Sequence, residues 1–218
     1  MHLMSWLDPY VRPRRQTKRF LKRRGSKKTT ATAGVEQFET RVLLSGTPLE
    51  LTGGLVADSY IRGGSNDQSE TNYGSEPSIL VDAAPDSAAL LKFDVSSIAP
   101  GSTVQSVTLT FHVTDPSPGT WEIYQVLRPW TESQVTFDWP TIGGEWQVDG
   151  AQGATDRGNT VLGTVTASAT GAVTVTLNSA GIAVVQSWID NSAANHGLII
   201  QDYAGSTDSL GFASRENA

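Results

Sequence analysis

Carboxylates dominate the reactive side chains of this 218-residue chain. Of its 22 Asp and Glu residues, all but Asp8, Glu36 and Glu39 lie beyond residue 45. Two carboxyl groups facing each other about 5–10 Å apart could hydrolyse a glycosidic bond. Nothing in the sequence places two of them together across a cleft, and the acids of an acidic domain belong mostly to its solvated surface. Serine hydrolase chemistry needs a histidine base, and beyond residue 45 the chain offers only His112 and His196. His112 falls on the polar face of an alternating segment, and no GxSxG, HExxH or phosphate-loop pattern occurs. Gly53-Gly54 and Gly63-Gly64 lack the strand-to-helix setting that a phosphate loop requires. With no cysteine at all, disulfides and zinc–thiolate sites are excluded. Catalysis is therefore not expected, and binding is the chemistry left to explain.

The elements that must position any binding residues are strands. Leu91, Phe93 and Val95 alternate with Lys92 and Asp94, and Val107, Leu109, Phe111 and Val113 alternate with Thr108, Thr110 and His112. Side chains flip face at each strand residue, so both segments read as half-buried strands, joined by a breaker cluster at Ser96–Ser102. Further strands are predicted at 57–62, 78–82, 121–127, 160–166, 172–177, 197–203 and 210–214, and a long surface loop at 63–77. Residues 138–159 read as irregular. One helix is expected after a cap at Asn178 or Ser179, with Ile182, Val185 and Ile189 on one face and an end at Asp190-Asn191. Nine or ten short strands and one small helix predict an all-β fold, a jelly-roll-like β-sandwich.

Charge divides the chain. Residues 1–45 hold eleven basic and three acidic side chains, a net of +8, which leaves −14 for the rest of a chain whose total is −6. Only Arg62, Lys92, Arg128, Arg157 and Arg215 are basic beyond residue 45. Residues 1–34 read as a disordered basic arm. Without interleaved aromatics or a helical basic face, nucleic-acid binding is not expected of it. No run reaches the roughly 20 apolar residues of a membrane span. The predicted organisation is a targeting segment at 1–45, a Gly- and Pro-containing linker at 46–54, and one domain at 55–218.

Two resemblances add to this. Residues 35–45, VEQFETRVLLS, resemble the planctomycete N-terminal sorting motif LExLExRxLLS, with Val35 and Phe38 in place of two leucines. That implies a secreted or cell-surface destination. In the body, Ala57–Ile61, Asn72-Tyr73-Gly74, Leu90–Ile98, the Thr-rich strand 107–114, Trp130-Thr131-Glu132, Val135–Phe137 with Pro140, Val184–Ile189, Asn195–Leu198 and Phe212–Asn217 occur in the order of the DNRLRE-domain family, also classed as carbohydrate-binding module family 96. His196 stands where that family has an aromatic residue, which implies a packing or turn role. The resemblance covers roughly residues 52–218. The family usually closes with a strand of the form Arg-Pro-x-Leu-x-Val, which these 218 residues do not contain. Either the chain is a fragment or one sheet edge is left unpaired.

The resemblance implies a non-catalytic module that attaches to polysaccharide, acidic ligands such as alginate being known for some members. The alternative is a structural or adhesive surface module that binds no sugar; a degradative enzyme is less favoured. A sugar site wants an aromatic face beside polar groups, and a cation if the sugar is acidic. Tyr60, Arg62, Tyr73, Lys92, Tyr124 and Arg128 are the candidates, with Trp139 and Trp146 as exposed platforms and Trp130 and Trp188 as core residues. A body charge of −14 opposes long-range attraction of an acidic glycan, so a neutral one is at least as well suited. No cofactor is required. A structural calcium ion is conceivable where loops meet, at Asp58, Asp82, Asp94 or Asp202, although no DxDxDG loop is present. The expected partner is polysaccharide, with no nucleic acid, no membrane insertion and a monomeric state.

Overall fold

The computed structural model describes residues 2–8, 49–51, 54–205 and 207–217. In chain order the strands are β1 (His2–Asp8), β2 (Leu49–Leu51), β3 (Leu55–Arg62), β4 (Ser78–Ala83), β5 (Asp86–Phe93), β6 (Thr103–Asp115), β7 (Ser117–Gln125), β8 (Gly163–Ala167), β9 (Gly171–Thr176), β10 (Leu198–Gln201) and β11 (Leu210–Ala213). One turn of helix, α1 (Asn66–Ser69), sits in the loop after β3, and the helix α2 (Ser179–Asp190) follows β9.

Every ladder is antiparallel. One sheet runs β9-β6-β11-β4, and the other runs β3-β5-β10-β7-β8. β4 turns the corner between them: its first residues pair with β11, while Asp82 and Ala83 pair with β5. At the opposite corner β8 pairs with β7 and β9 with β6, and no ladder joins β8 to β9 among the described residues. The result is a nearly closed sandwich whose nine strands from β3 onward, with α2, match the predicted all-β class.

Alternation fills the space between the sheets. Leu91 and Phe93 of β5 meet Val107, Leu109, Phe111 and Val113 of β6, with Trp121, Ile123, Leu198, Ile200 and Phe212. Each such side chain removed from water stabilises the fold by about 1.5–3 kcal/mol before entropy is counted. Helix α2 begins where expected: the Asn178 side chain accepts from the amides of Ala180 and Gly181, satisfying two of the orphan donors of a helix start. Val185 and Trp188 enter the core, and Gln186 ties the helix to Val104 and Ser102.

Two expectations are corrected. First, β5 is not half-buried. Ala88 and Leu90, on the face opposite Leu91, are also fully buried, with Ile61, Tyr124, Val126 and Ile199. They lie beneath Trp130, Val135, Trp146 and Ala151, so the stretch 128–160, which takes in the segment 138–159 read as irregular, is a cover over the second sheet. Second, the N-terminal arm is not wholly without structure. β1 pairs with Thr103–Thr110 of β6, on the strand that β11 meets only at Val113 and Asp115, and with β2. These residues precede the first basic residue, Arg12, so the charge repulsion that led to a disordered assignment is not concentrated there. Residues 9–48, with the whole basic cluster and the segment 35–45 that resembles a sorting motif, lie outside the described residues. No described helix is long and apolar enough to cross a membrane.

Candidate functional site

The cover over the second sheet is held by one carboxylate. Asp156 is fully buried. Its Oδ1 accepts from the Gln147 amide at 2.9 Å and from Arg128 Nη1 at 3.1 Å; its Oδ2 accepts from the amides of Val148 and Gly153 at 3.1 and 3.0 Å. Charge-assisted bonds of this kind are about twice as strong as neutral ones. The far end of the cover is stitched to the end of β7, where Val126 pairs with Arg157. Trp146, expected as an exposed platform, is instead only 4% exposed: its indole N–H donates to Thr136 O and its ring packs in the cluster beneath the cover. A polar handle satisfied in the interior lets tryptophan be buried.

Two recesses open beside this cover. One, of about 460 Å³, is shallow and mostly apolar, lined by Trp139, Ile142, Gly143, Gly144 and Glu145. The other, of about 380 Å³, lies between the outer face of β7–β10 and the end of the cover. It is lined by Glu122, Tyr124, Gln152, Arg157, Gln201, Asp202, Tyr203 and Ala204. Arg157 lies over the Tyr124 ring at 3.9 Å and donates to Gly158 O. The Tyr124 hydroxyl donates to Glu122, and burial together with that carboxylate raises its pKa. The Gln201 amide nitrogen and the Tyr203 hydroxyl both donate to Gly150 O. Two buried atoms of cleft-lining residues, Gln201 Oε1 and Arg157 Nε, have no hydrogen-bond partner among the described residues. An unpaired buried polar group costs about 1–3 kcal/mol, so these call for a bridging water or a ligand.

Of the six residues proposed from sequence to bind ligand, only Tyr124 lines this cleft. Tyr60 and Tyr73 stack on each other at 4.3 Å and belong to the core between the sheets; burial pushes the Tyr60 hydroxyl up to about 12. Arg62 ends β3 with its Nε buried and unpartnered. Lys92 lines a separate small recess with Val56, Asp94 and Asn195. Arg128 serves the cover through Asp156 and Glu145. The six therefore do not converge. Trp139 borders the apolar recess, whereas Trp130 and Trp188 are core as expected. Glu122, Gln152, Arg157 and Gln201 were not foreseen as binding residues. Gln201 carried a signal, a polar residue closing the apolar run Leu198-Ile199-Ile200.

The four aspartates considered for calcium are also dispersed. Asp82 caps the amides of Ala83 and Ala84, Asp94 that of Ser96, and Asp202 that of Ala204. Among the described residues, Asp58 falls in a cluster of three carboxylates, with Glu132 and Glu216. Arg215 already supplies the positive charge there, pairing with Glu132 at 2.8 Å, Glu216 at 3.1 Å and Asp58 at 3.7 Å.

The motif residues form the joints of the frame. Asn72 Nδ2 donates to the carbonyls of Glu132 and Val135, both at 2.7 Å, while its oxygen accepts from the Gly74 amide. A Cβ on Gly74 would lie 2.2 Å from Glu132 O. Asn195 and Gly197 repeat the device: Asn195 Nδ2 donates to Phe93 O, its oxygen accepts from the Gly197 amide, and a Cβ on Gly197 would lie 2.2 Å from Leu91 O. His196 accepts at its carbonyl from Trp130 Nε1. The Asp58 amide donates to Glu132, and the Arg215 amide to Asp58. Burial raises the Asp58 carboxyl to about 6 against the lowering effect of the Arg215 amide.

Among curated proteins the chain has no detectable match. The family model for carbohydrate-binding module family 96 matches residues 52–218, which takes in the whole sandwich from β3 to β11. The chain belongs to carbohydrate-binding module family 96.

Proposed function

We propose that this domain is a non-catalytic module that attaches its protein to polysaccharide outside the cell, and that the sugar occupies the cleft between β7–β10 and the cover. One observation carries the assignment to this cleft: buried polar atoms of Gln201 and Arg157, both in its lining, are left unpaired among the described residues. A few placed polar groups in a preformed concavity are what a small-ligand site needs. Glu122, Gln152 and Asp202 add a rim of acceptors and donors suited to hydroxyl groups. Export to the surface rests on the sorting-like segment 35–45 alone.

A structural or adhesive role has its own observation. Ile142 is 76% exposed beside Trp139, which suits contact with another protein surface. The test that separates the two is a polysaccharide array with alginate, pectin and neutral plant and algal glycans, run on the full chain. Saturable binding that is lost in Gln201→Ala and Arg157→Ala, but kept in Trp139→Ala, is the expected result. Binding lost only in Trp139→Ala would move the site to the apolar recess. A folded protein that binds nothing would favour the adhesive role.

A further inference from the structure

The charge arrangement of the cleft points to a narrower ligand class, and this inference rests on the cleft being the sugar site. We infer that it accepts uncharged, hydroxyl-rich sugar units and rejects uronates. Two carboxylates, Glu122 and Asp202, face one guanidinium, Arg157. That guanidinium is already committed: it covers the Tyr124 ring at 3.9 Å, and its Nη1 donates to Gly158 O. With its Nη1 engaged and its Nε buried, neither edge of the fork is fully open for the two-pronged contact by which arginine recognises a carboxylate.

The remaining groups are mostly acceptors. Glu122 already accepts from Tyr124, Asp202 accepts from the Ala204 amide, and Gln201 Oε1 has no donor among the described residues. The Gln201 amide nitrogen is spent on Gly150 O. A ligand entering this set must bring donors, and sugar hydroxyls do, since each offers one O–H. Vicinal hydroxyls can place two donors on one carboxylate. A uronate would instead bring a third carboxylate into a partly enclosed site that already holds two. Like charges at close range disfavour such a complex, and only one engaged cation opposes them. The −14 charge beyond residue 45 acts in the same direction at longer range.

The coverage of Tyr124 by Arg157 refines the picture. That face of the ring is not open for stacking against a sugar, so binding is dominated by hydrogen bonds. It should accordingly respond weakly to salt.

The experiment compares chains that differ only at C6. Polygalacturonate and alginate are each measured beside their carboxyl-reduced forms by isothermal titration with the full chain, together with neutral galactan, mannan and glucan. Binding of neutral polymers, with each uronate polymer at least about tenfold weaker than its reduced counterpart and little change between 50 and 500 mM salt, is the expected result. The Glu122→Gln/Asp202→Asn double variant should shrink that gap about tenfold. Either uronate polymer binding as tightly as its reduced form, with loss in Arg157→Ala and weakening by salt, would overturn the inference while leaving the cleft as the sugar site. Folded protein that binds no polymer would overturn the sugar site itself, and this inference with it.

Discussion

Removing the Asp156 carboxylate should release the cover. Its two oxygens hold three backbone amides, those of Gln147, Val148 and Gly153, and the Arg128 guanidinium, all within 3.1 Å. Asp156→Ala leaves three donors without partners inside a segment whose course they define. Bonds to a charged group contribute about 1.5–3 kcal/mol each. They are not additive, because the cover can relax toward water once the anchor is gone. Arg128 is 32% exposed and keeps the Glu145 carbonyl, so the loss comes mainly from the three stranded amides and is about 2–4 kcal/mol. Asp156→Asn should recover little: each oxygen serves two donors, so the amide NH₂ faces a donor in either orientation. Urea unfolding followed by tryptophan fluorescence measures the loss, and hydrogen exchange locates it. The amides of Gln147, Val148 and Gly153 should exchange well before those of β5 and β10, as expected of a locally opening unit. The reasoning is wrong if Asp156→Ala loses less than about 1 kcal/mol with those amides still protected.

Three further outcomes follow from the frame. Gly74→Ala should cost about 1–3 kcal/mol, because the new Cβ meets the Glu132 carbonyl rather than a movable side chain; the loss in urea midpoint measures it. Gly197→Ala should cost more than Gly74→Ala, since it adds a backbone at φ 87° to the same kind of clash with Leu91 O. Asp58 is held at about 6 in the fold against 3.8 ordinarily. Between these values the folded state binds the extra proton, so this group's contribution to stability falls as pH rises from about 4 to 6 and is flat above. The full swing is about 3 kcal/mol. Thermal melts from pH 3.5 to 7 should show that slope in the parent protein and its loss in Asp58→Asn; an unchanged slope in the variant would exclude Asp58 as its source.

Much of the fold was legible because it rests on local pattern. The period-2 alternation of β5 and β6 placed Leu91, Phe93, Leu109 and Phe111 correctly on the inner face, and Asn178 announced the start of α2. What could not be read rests on tertiary partners. Nothing local in residues 138–159 shows that a single aspartate at their end would order them, so Trp146 looked free and β5 looked half-exposed. The candidate site was less legible still. Tyr124 was found, but Arg157 belongs to no periodic segment, and its role comes from lying over a ring 33 positions earlier in the sequence. Tyr60, Tyr73, Lys92 and Arg128 had the right chemistry for sugar binding, but the topology stacks the two tyrosines on each other and sends Lys92 and Arg128 elsewhere.

The division of labour between these two sets explains why the chain names its family more readily than its ligand. Asp58, Asn72, Gly74, Glu132, Asn195, Gly197 and Arg215 carry the resemblance, and each holds backbone to backbone at a joint between sheets, loops and cover. Their replacement strains or unpairs buried groups, so any chain keeping this frame must keep groups of this kind. Glu122, Gln152, Arg157, Gln201 and Asp202 lie outside every one of those motifs. The ladder hydrogen bonds of β7 and β10 are made by backbone atoms, so the side chains at Glu122 and Gln201 can change without breaking the strands that carry them. On the proposed assignment, a frame fixed by its joints would let the cleft be retuned from one glycan to another by a few substitutions outside the motifs. On that proposal, a change of ligand charge class would turn on the two carboxylates and the one guanidinium of the cleft.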